Sequence, residues 1–183
     1  MSARPALLEA ATRVVLAQGG AALTLDAVAR EAGVSKGGLL YHFPSKNALI
    51  GGLVAHLTEA FDAALAAAEA QEQGPGRHTR AWLTVASSPQ VAAVDAATAG
   101  LVAAVAEAPA LLQPLCDAYQ RWDARMADDG LDPVDAALVR LTLDGLWMAR
   151  VAGLPEPPPE VLSGLLGRLR LLAGGPERRG KGS

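Results

Sequence analysis

The chain has 183 residues and a mass of 18.7 kDa, which suits one large domain or a small domain joined to a larger one. Hydrophobic residues make up 51% and charged residues 19%, a composition that excludes an intrinsically disordered chain. The single cysteine, Cys116, excludes an internal disulfide framework and a cysteine-based zinc cluster. Alanine fills about a fifth of the positions and aromatic residues only 4%, so the composition favours an all-α fold.

The formal net charge of -3 is unevenly distributed along the chain. Residues 1–50 carry +2, residues 51–175 carry -7, and the terminal segment 176–183 carries +2. This asymmetry predicts that the N-terminal segment meets a polyanion and that the middle of the chain does not. Chance scatter of surface charge is the alternative.

The sequence shows neither a membrane span nor a secretory signal. The longest stretch without a charged residue runs from Ala81 to Val94, which is shorter than the ~20 apolar residues of a spanning helix. No apolar segment precedes Glu9. We therefore expect a soluble, cytoplasmic protein with no membrane partner and no cofactor.

Hydrophobic periodicity of about 3.6 residues predicts helices throughout the chain. Glycine and proline separate these segments, and residues 71–78 read as a linker. The predicted helices lie near residues 4–18, 25–32, 36–43, 46–69, 79–88, 90–107, 110–127, 133–152 and 158–173, followed by a flexible basic tail over 176–183.

Two short amphipathic helices joined through Gly33-Val34-Ser35 predict a helix-turn-helix. Thr24 is placed to cap the first helix and Ser35 the second. In this motif the second helix enters the major groove of DNA. Gly37 and Gly38, near the start of that helix, weaken it, so their missing side chains could permit close approach to DNA or could simply leave the helix frayed.

Ser45 and Lys46 open the long helix 46–69. A lysine is disfavoured at a helix N-terminus, but a phosphate bound to the free amides there would pair with it. Tyr41 and His42 precede this site and supply further donors. Ordinary solvation of Lys46 and a structural role for His42 are the alternatives.

The stretch from Leu25 to Ile50, LDAVAREAGVSKGGLLYHFPSKNALI, resembles the DNA-binding segment of TetR-family transcriptional regulators. Residues 7–20 resemble that family's first helix, and the resemblance covers about residues 4–57. It implies a homodimeric repressor with a three-helix DNA-binding domain over residues 1–46. A larger helical domain over 47–175 would bind a small-molecule effector and form the dimer.

The resemblance also implies roles for individual residues at a double-stranded DNA operator. Thr24 would touch a phosphate, and Tyr41, His42 and Lys46 would contact the backbone. The residues nearest the bases would be Ser35, Lys36, Gly37 and Gly38. Leu40 replaces an aromatic hydroxyl that many members carry, and Gly38 replaces a common threonine, so direct base readout would depend largely on Lys36.

Helices 133–152 and 158–173 are the candidates for the dimer interface, because the last carries a wide apolar stripe with Gly164 and Gly167. In the family, these two helices pair with their twofold mates; packing within one chain is the alternative. For a hydrophobic effector the candidate lining residues, which could equally be ordinary core, are Trp82, Tyr119, Trp122, Trp147 and Met148. The charged residues that could anchor an effector, or lie on the surface, are Asp95, Arg121 and Asp144.

An enzyme and a helical ligand-binding or scaffold protein are the alternatives to a DNA-binding regulator. An enzyme is disfavoured because the chain lacks H-E-x-x-H, G-x-S-x-G, a P-loop and G-x-G-x-x-G. A helical ligand-binding or scaffold protein with a vestigial DNA-binding head stays an alternative, because Gly37, Gly38 and Leu40 offer no polar side chain to the DNA.

Overall fold

The computed structural model describes residues 3–98 and 108–174, and this part of the chain is helical without any strand. The all-α expectation is confirmed. The second half of the predicted helix 90–107 and the tail 176–183 lie outside the described residues. The helices are α1 (Ala3–Gln18), α2 (Leu25–Glu31), α3 (Lys36–His42), α4 (Lys46–Glu69), α5 (Arg77–Ala86), α6 (Pro89–Thr98), α7 (Gln113–Ala127), α8 (Pro133–Val151) and α9 (Pro159–Leu172), with short 3-10 turns at Gly20–Ala22 and Pro109–Leu112.

Helices α1 to α3 and the first turns of α4 form an N-terminal head around one apolar core. Side-chain hydroxyls start three of its helices: the amides of Ala27, Gly38 and Ala48 donate to the hydroxyls of residues 24, 35 and 45, each at 3.1 Å. Gly33 turns the chain between α2 and α3 with φ +68°, a conformation that favours glycine. The largest buried side chains of this core are Leu7, Val14, Leu23, Val28, Leu39, Phe43, Leu49, Ile50 and Leu53.

The rest of the chain forms a helical body around a second core, to which α4, α5, α7, α8 and α9 contribute. Helix α4 belongs to both units, since Leu53 is buried in the head and Leu65 in the body. Within the described residues α4 is also the one helix long and apolar enough to cross a membrane by length and composition. A single helix of this kind is weak evidence for a membrane span, because the core helix of a soluble protein passes the same test.

Two further contacts join the head to the body. Helix α6 packs against α1 of the head and against α8 of the body. Leu111, in the second 3-10 turn, packs on the head core, where a Cβ added at Gly51 of α4 would lie 3.5 Å from it. The head is therefore connected to the body through α4, α6 and Leu111.

Two helix starts differ from the sequence prediction for reasons that the structure shows, and the other described helix ends agree with it to within two residues. Helix α5 begins at Arg77, inside the predicted linker, because the Asp129 carboxylate accepts from the amides of His78 and Thr79 at 3.0 and 2.7 Å. The predicted helix 110–127 is a 3-10 turn followed by α7. Pro114 in the first turn of α7 has no amide proton, which favours a new helix start there.

Candidate nucleic-acid interface and aromatic core

Helix α3 exposes one face and anchors itself by the other. Leu39 is fully buried and Phe43, four residues later, is 2% exposed, so both fix the helix to the head core. Tyr41 projects from the opposite side and is 86% exposed. The predicted base-reading residues Ser35, Lys36, Gly37 and Gly38 are all exposed as well.

The two glycines of α3 are not required by packing within the chain. A Cβ added at Gly37 would meet nothing nearer than the Ser35 hydroxyl at 4.0 Å. At Gly38 the same hydroxyl would be 3.4 Å away, which is an ordinary contact. The face that these glycines flatten is therefore open to an external molecule.

Lys36 is the one cation on this face of α3, and it is paired. Its ammonium donates to the carboxylate of Asp26, in the first turn of α2, at 3.0 Å. Both side chains are more than half exposed, so the pair is hydrated and weak. Asp26 is a residue of this face whose role sequence reasoning missed.

The start of α4 presents the predicted phosphate site. Ser45 caps the helix and Lys46 is exposed, and within the described residues no carboxylate pairs with that lysine. His42 is half-buried, and its ring meets the edge of Tyr41 at a centroid distance of 5.1 Å. Leu40 is 37% exposed. All eight predicted DNA-contacting residues lie in or next to α2, α3 and the start of α4, and all of them except the half-buried His42 are exposed.

Four aromatic rings meet in the body core. Phe61, Trp82, Tyr119 and Trp122 contact one another at centroid distances of 4.8 to 6.0 Å, mostly edge to face. Three of the predicted effector-lining residues therefore lie together, and Phe61 of α4 joins them. We call these four rings the aromatic cluster.

Carboxylates border the aromatic cluster. The Trp122 indole donates to Asp62 at 2.5 Å, and the Tyr119 hydroxyl donates to Asp144 at 2.9 Å. Burial raises the pKa of Asp144 above its ordinary value. In contrast, the buried indole nitrogen of Trp82 has no acceptor among the described residues. A molecule entering this cluster would meet apolar rings and one available donor.

The other candidate pocket residues lie away from the aromatic cluster. Trp147 is half-buried and hydrogen-bonds to Asp95, whose carboxylate lies 3.7 Å from the Arg150 guanidinium. Burial raises the pKa of Asp95 to about 6. Met148 is 52% exposed on the outside of α8.

Arg121 also lies at the surface. Its side chain is 56% exposed and donates to Asp62 at 2.9 Å. It therefore neutralises one of the two carboxylates that border the aromatic cluster.

Helices α8 and α9 carry an exposed apolar surface that nothing in the described part of the chain covers. On α8 it recurs at helical spacing, with Val134 65%, Leu138 49% and Leu141 58% exposed, then Met148. On α9 Val161 is 53% exposed, and a Cβ added at Gly164 would find nothing within 4 Å. We call this surface the outer stripe.

A buried polar junction closes the body where α4 ends. Arg80 is 4% exposed and reaches Glu72 at 2.7 Å, while the His78 ring approaches Glu69 at 3.0 Å. Burial alone would raise the pKa of Glu69, but the hydrogen bond to His78 and the charge of Arg125 lower it. Sequence reasoning missed this junction because it read residues 71–78, which include Glu72 and His78, as a linker.

In residues 3–98 and 108–174 no group of three or more His, Cys, Asp and Glu side chains is placed to hold a metal ion.

Comparison with known proteins places the chain in a family. Residues 7–53 match the model of bacterial regulatory proteins of the tetR family, and residues 76–174 match that of the tetracyclin repressor-like C-terminal domain. No curated protein matches the chain.

Solved structures share the fold. A transcriptional regulator from Rhodococcus sp. Rha1 superposes with a TM-score of 0.74 at 20% identity, covering 94% of this chain and 95% of that one. A TetR-family member from Streptomyces coelicolor A3 superposes with a TM-score of 0.64 at 24% identity, covering 92% of this chain and 98% of that one. The multidrug binding protein EbrR, complexed with imidazole, superposes with a TM-score of 0.66 at 27% identity, covering 92% of this chain and 95% of that one.

The C-terminal family model spans more than half of the chain, and the N-terminal model spans the helix-turn-helix. Members of this family are DNA-binding regulators and not enzymes. The chain belongs to the TetR family of transcriptional regulators.

Proposed function

We propose that this protein is a repressor that binds a palindromic DNA operator as a homodimer and releases it when a small apolar effector binds the body. The observation that carries the proposal is the exposed face of α3. It is flattened by two glycines that internal packing does not require, and it lies beside a capped helix start whose Lys46 pairs with no carboxylate of residues 3–98 and 108–174. Such a surface suits close contact between the backbone of α3 and a polyanion such as DNA. The site of action is the cytoplasm, where bacterial DNA lies.

The residues of the head divide into two roles on DNA. Lys36 and the backbone of Gly37 and Gly38 face the base edges in the major groove, with the Ser35 cap at the start of α3. A cationic Lys36 suits the O6 and N7 acceptors of guanine.

The phosphate contacts come from the flanks of α3. Thr24 contacts one phosphate at the start of α2, and Tyr41 and His42 contact the backbone at the end of α3. A further phosphate binds the free amides at the start of α4 and pairs with Lys46.

Three alanine variants test these roles. Lys46→Ala should weaken binding to all duplexes and lower the slope of log affinity against log salt by ~1, whereas Lys36→Ala should relax the preferred base at one position of each half-site. Arg121→Ala, an exposed cation of the body, is the matched control and should change neither quantity. A chain that binds no duplex specifically would support the scaffold alternative.

The dimer would form through α8 and α9, because exposed apolar residues recur along one face of α8 and large side chains are also exposed on α9. Gly164 and Gly167 would let two α9 helices approach closely. Leu141→Glu, at the middle of the stripe, should yield a monomer in sedimentation or light scattering. Leu16→Glu, at a head leucine that is 48% exposed against 58% for Leu141, should leave the dimer intact. A wild-type monomer would contradict the proposal.

The effector would bind at the aromatic cluster, and the packed rings of Trp82, Tyr119 and Trp122 would have to move apart to admit it. Apolar rings with a single available donor suit an aromatic molecule that carries a hydrogen-bond acceptor. A related fold supports this class, since EbrR is described as a multidrug binding protein and has been crystallised with proflavin (TM-score 0.60, 24% identity).

Helix α4 offers the path from effector to DNA. Phe61 of the aromatic cluster and Lys46 at the phosphate site lie on this one helix, about 22 Å apart along its axis. DNA binding requires the two α3 helices of a dimer to lie about 34–36 Å apart. An effector that binds a misaligned conformation a hundredfold better would shift the equilibrium by ~2.7 kcal/mol.

Proflavin is a direct probe of this site. We expect it to quench the tryptophan fluorescence of the DNA-free protein, and Trp82→Phe should reduce that quenching. Trp147→Phe, which changes a tryptophan outside the aromatic cluster, is the comparison and should leave the quenching by proflavin unchanged. Because proflavin also binds duplex DNA, release of the operator is tested with uncharged apolar aromatics, and operator binding insensitive to all of them would contradict release by an effector of this class.

A further inference from the structure

We infer that Asp26 sets how well this protein discriminates its operator from other DNA, by holding the ammonium of Lys36 in competition with the phosphate backbone. The inference rests on the proposed DNA-binding function. The Lys36 ammonium of α3 lies 3.0 Å from the Asp26 carboxylate of α2, across the turn between the two helices.

Asp26 occupies an unusual position among the acidic residues of the described head. Glu31, on the same helix, pairs with Arg13 of α1 at 2.7 Å and so ties two helices of the head together. Asp26 instead pairs with the cation of the base-reading helix, and its own side chain is 60% exposed. It therefore places a negative charge on the surface that meets a polyanion.

The effect of that charge depends on what Lys36 contacts. An ammonium has three donors, so on the operator Lys36 can keep Asp26 and still donate to two guanine acceptors in the groove. The pair then stays neutralised, and Asp26 holds the ammonium in place.

On other DNA, Lys36 finds no guanine acceptors and pairs with a phosphate instead. When the Lys36 ammonium turns to that phosphate, Asp26 is left as an uncompensated negative charge close to the DNA backbone. Repulsion of like charges about 4 Å apart in a hydrated site lowers affinity roughly fivefold. Asp26 therefore lowers the affinity for unrelated DNA more than it lowers the affinity for the operator.

The experiment compares affinities of the full-length dimer for its preferred duplex and for an unrelated duplex of equal length, at one salt concentration. Asp26→Asn should raise affinity for the unrelated duplex by roughly fivefold and for the preferred duplex by less than twofold, so that discrimination falls. Glu31→Gln, which removes the same charge from the same helix, should change both affinities equally. In a Lys36→Met background, Asp26→Asn should no longer alter the ratio.

The outcomes separate this inference from the proposed function. Suppose that the wild-type protein prefers one duplex, and that Asp26→Asn, like Glu31→Gln, leaves the ratio of its affinities for the preferred and the unrelated duplex unchanged. Asp26 then contributes only general charge, and the inference is overturned. If the wild-type protein prefers no duplex, the proposed function itself fails. Asp26→Ser provides a second neutral variant, and thermal unfolding checks that each variant is folded, because both variants lose the favourable interaction of Asp26 with the helix dipole.

Discussion

Replacing Arg80 by methionine tests the buried polar junction of the body. The Arg80 guanidinium is 4% exposed and donates to the Glu72 carboxylate at 2.7 Å. It also donates to three backbone carbonyls, those of Gln73 at 2.7 Å, Pro75 at 2.8 Å and Ala173 at 2.6 Å. One side chain thus joins the α4–α5 connection to the end of the last helix. Arg80→Met keeps most of the apolar stem and removes all four hydrogen bonds.

The expected cost follows from those contacts. Hydrogen bonds to charged groups contribute about 1.5–3 kcal/mol each, but their sum overstates the loss, because carbonyls in the α4–α5 connection can turn to water. Removing one partner of a buried ion pair costs about 3–5 kcal/mol, and we expect the free energy of unfolding to fall by this amount. For a chain of this size the melting temperature should fall by about 6–20 °C.

Urea unfolding followed by tryptophan fluorescence measures this loss directly, since all three tryptophans lie in the body. Protein concentration must be held constant, because dimer formation would contribute to stability. Arg30→Met is the matched control: Arg30 is exposed and lies on α2, away from the proposed dimer surface, and this variant should stay within about 0.5 kcal/mol of wild type. A loss below about 1 kcal/mol for Arg80→Met would refute the reasoning from burial and hydrogen bonding.

Three further predictions concern stability. Gly52→Ala would place a Cβ 2.7 Å from the Phe43 ring and should destabilise the head by about 1–3 kcal/mol, whereas Gly51→Ala has room and should be neutral or stabilising, as thermal unfolding would show. Ser45→Ala removes the α4 cap and should cost about 1 kcal/mol in the same assay; no loss would argue against the cap. Since the pKa of Asp95 is raised from 3.8 to about 6, the folded chain retains a proton that the unfolded chain releases, and stability should fall as the pH rises through that window. The free energy of unfolding should fall by about 3 kcal/mol in total across this pH range. Urea titrations at several pH values measure the fall, and Asp95→Asn should remove this part of the pH dependence.

Local sequence signals predicted the helix-turn-helix well. The caps at residues 24, 35 and 45 and the positive-φ turn at Gly33 each depend on neighbours within a few residues, so spacing alone reveals them. The family resemblance then assigned roles to the exposed residues of α3.

Features that depend on distant segments could not be predicted in this way. Asp129 caps α5 from about fifty residues further along the chain, so the linker prediction placed the helix start too late. Phe61 reads as an ordinary apolar position of α4, and only the packing of α5 and α7 places it against Trp82 and Trp122. The pairing of Asp26 with Lys36 likewise depends on the angle between two helices.

Selection of bound duplexes from a random pool, performed with the wild-type chain and with Lys36→Ala, tests the central claim most directly. The account predicts a palindromic motif whose half-sites are centred about one helical turn, or a whole multiple of one, apart. Lys36→Ala should retain that symmetry and lose base preference at the same position of both half-sites. Recovery of no enriched sequence, or of a single site without a symmetric mate, would contradict the claim that two copies of α3 read the operator.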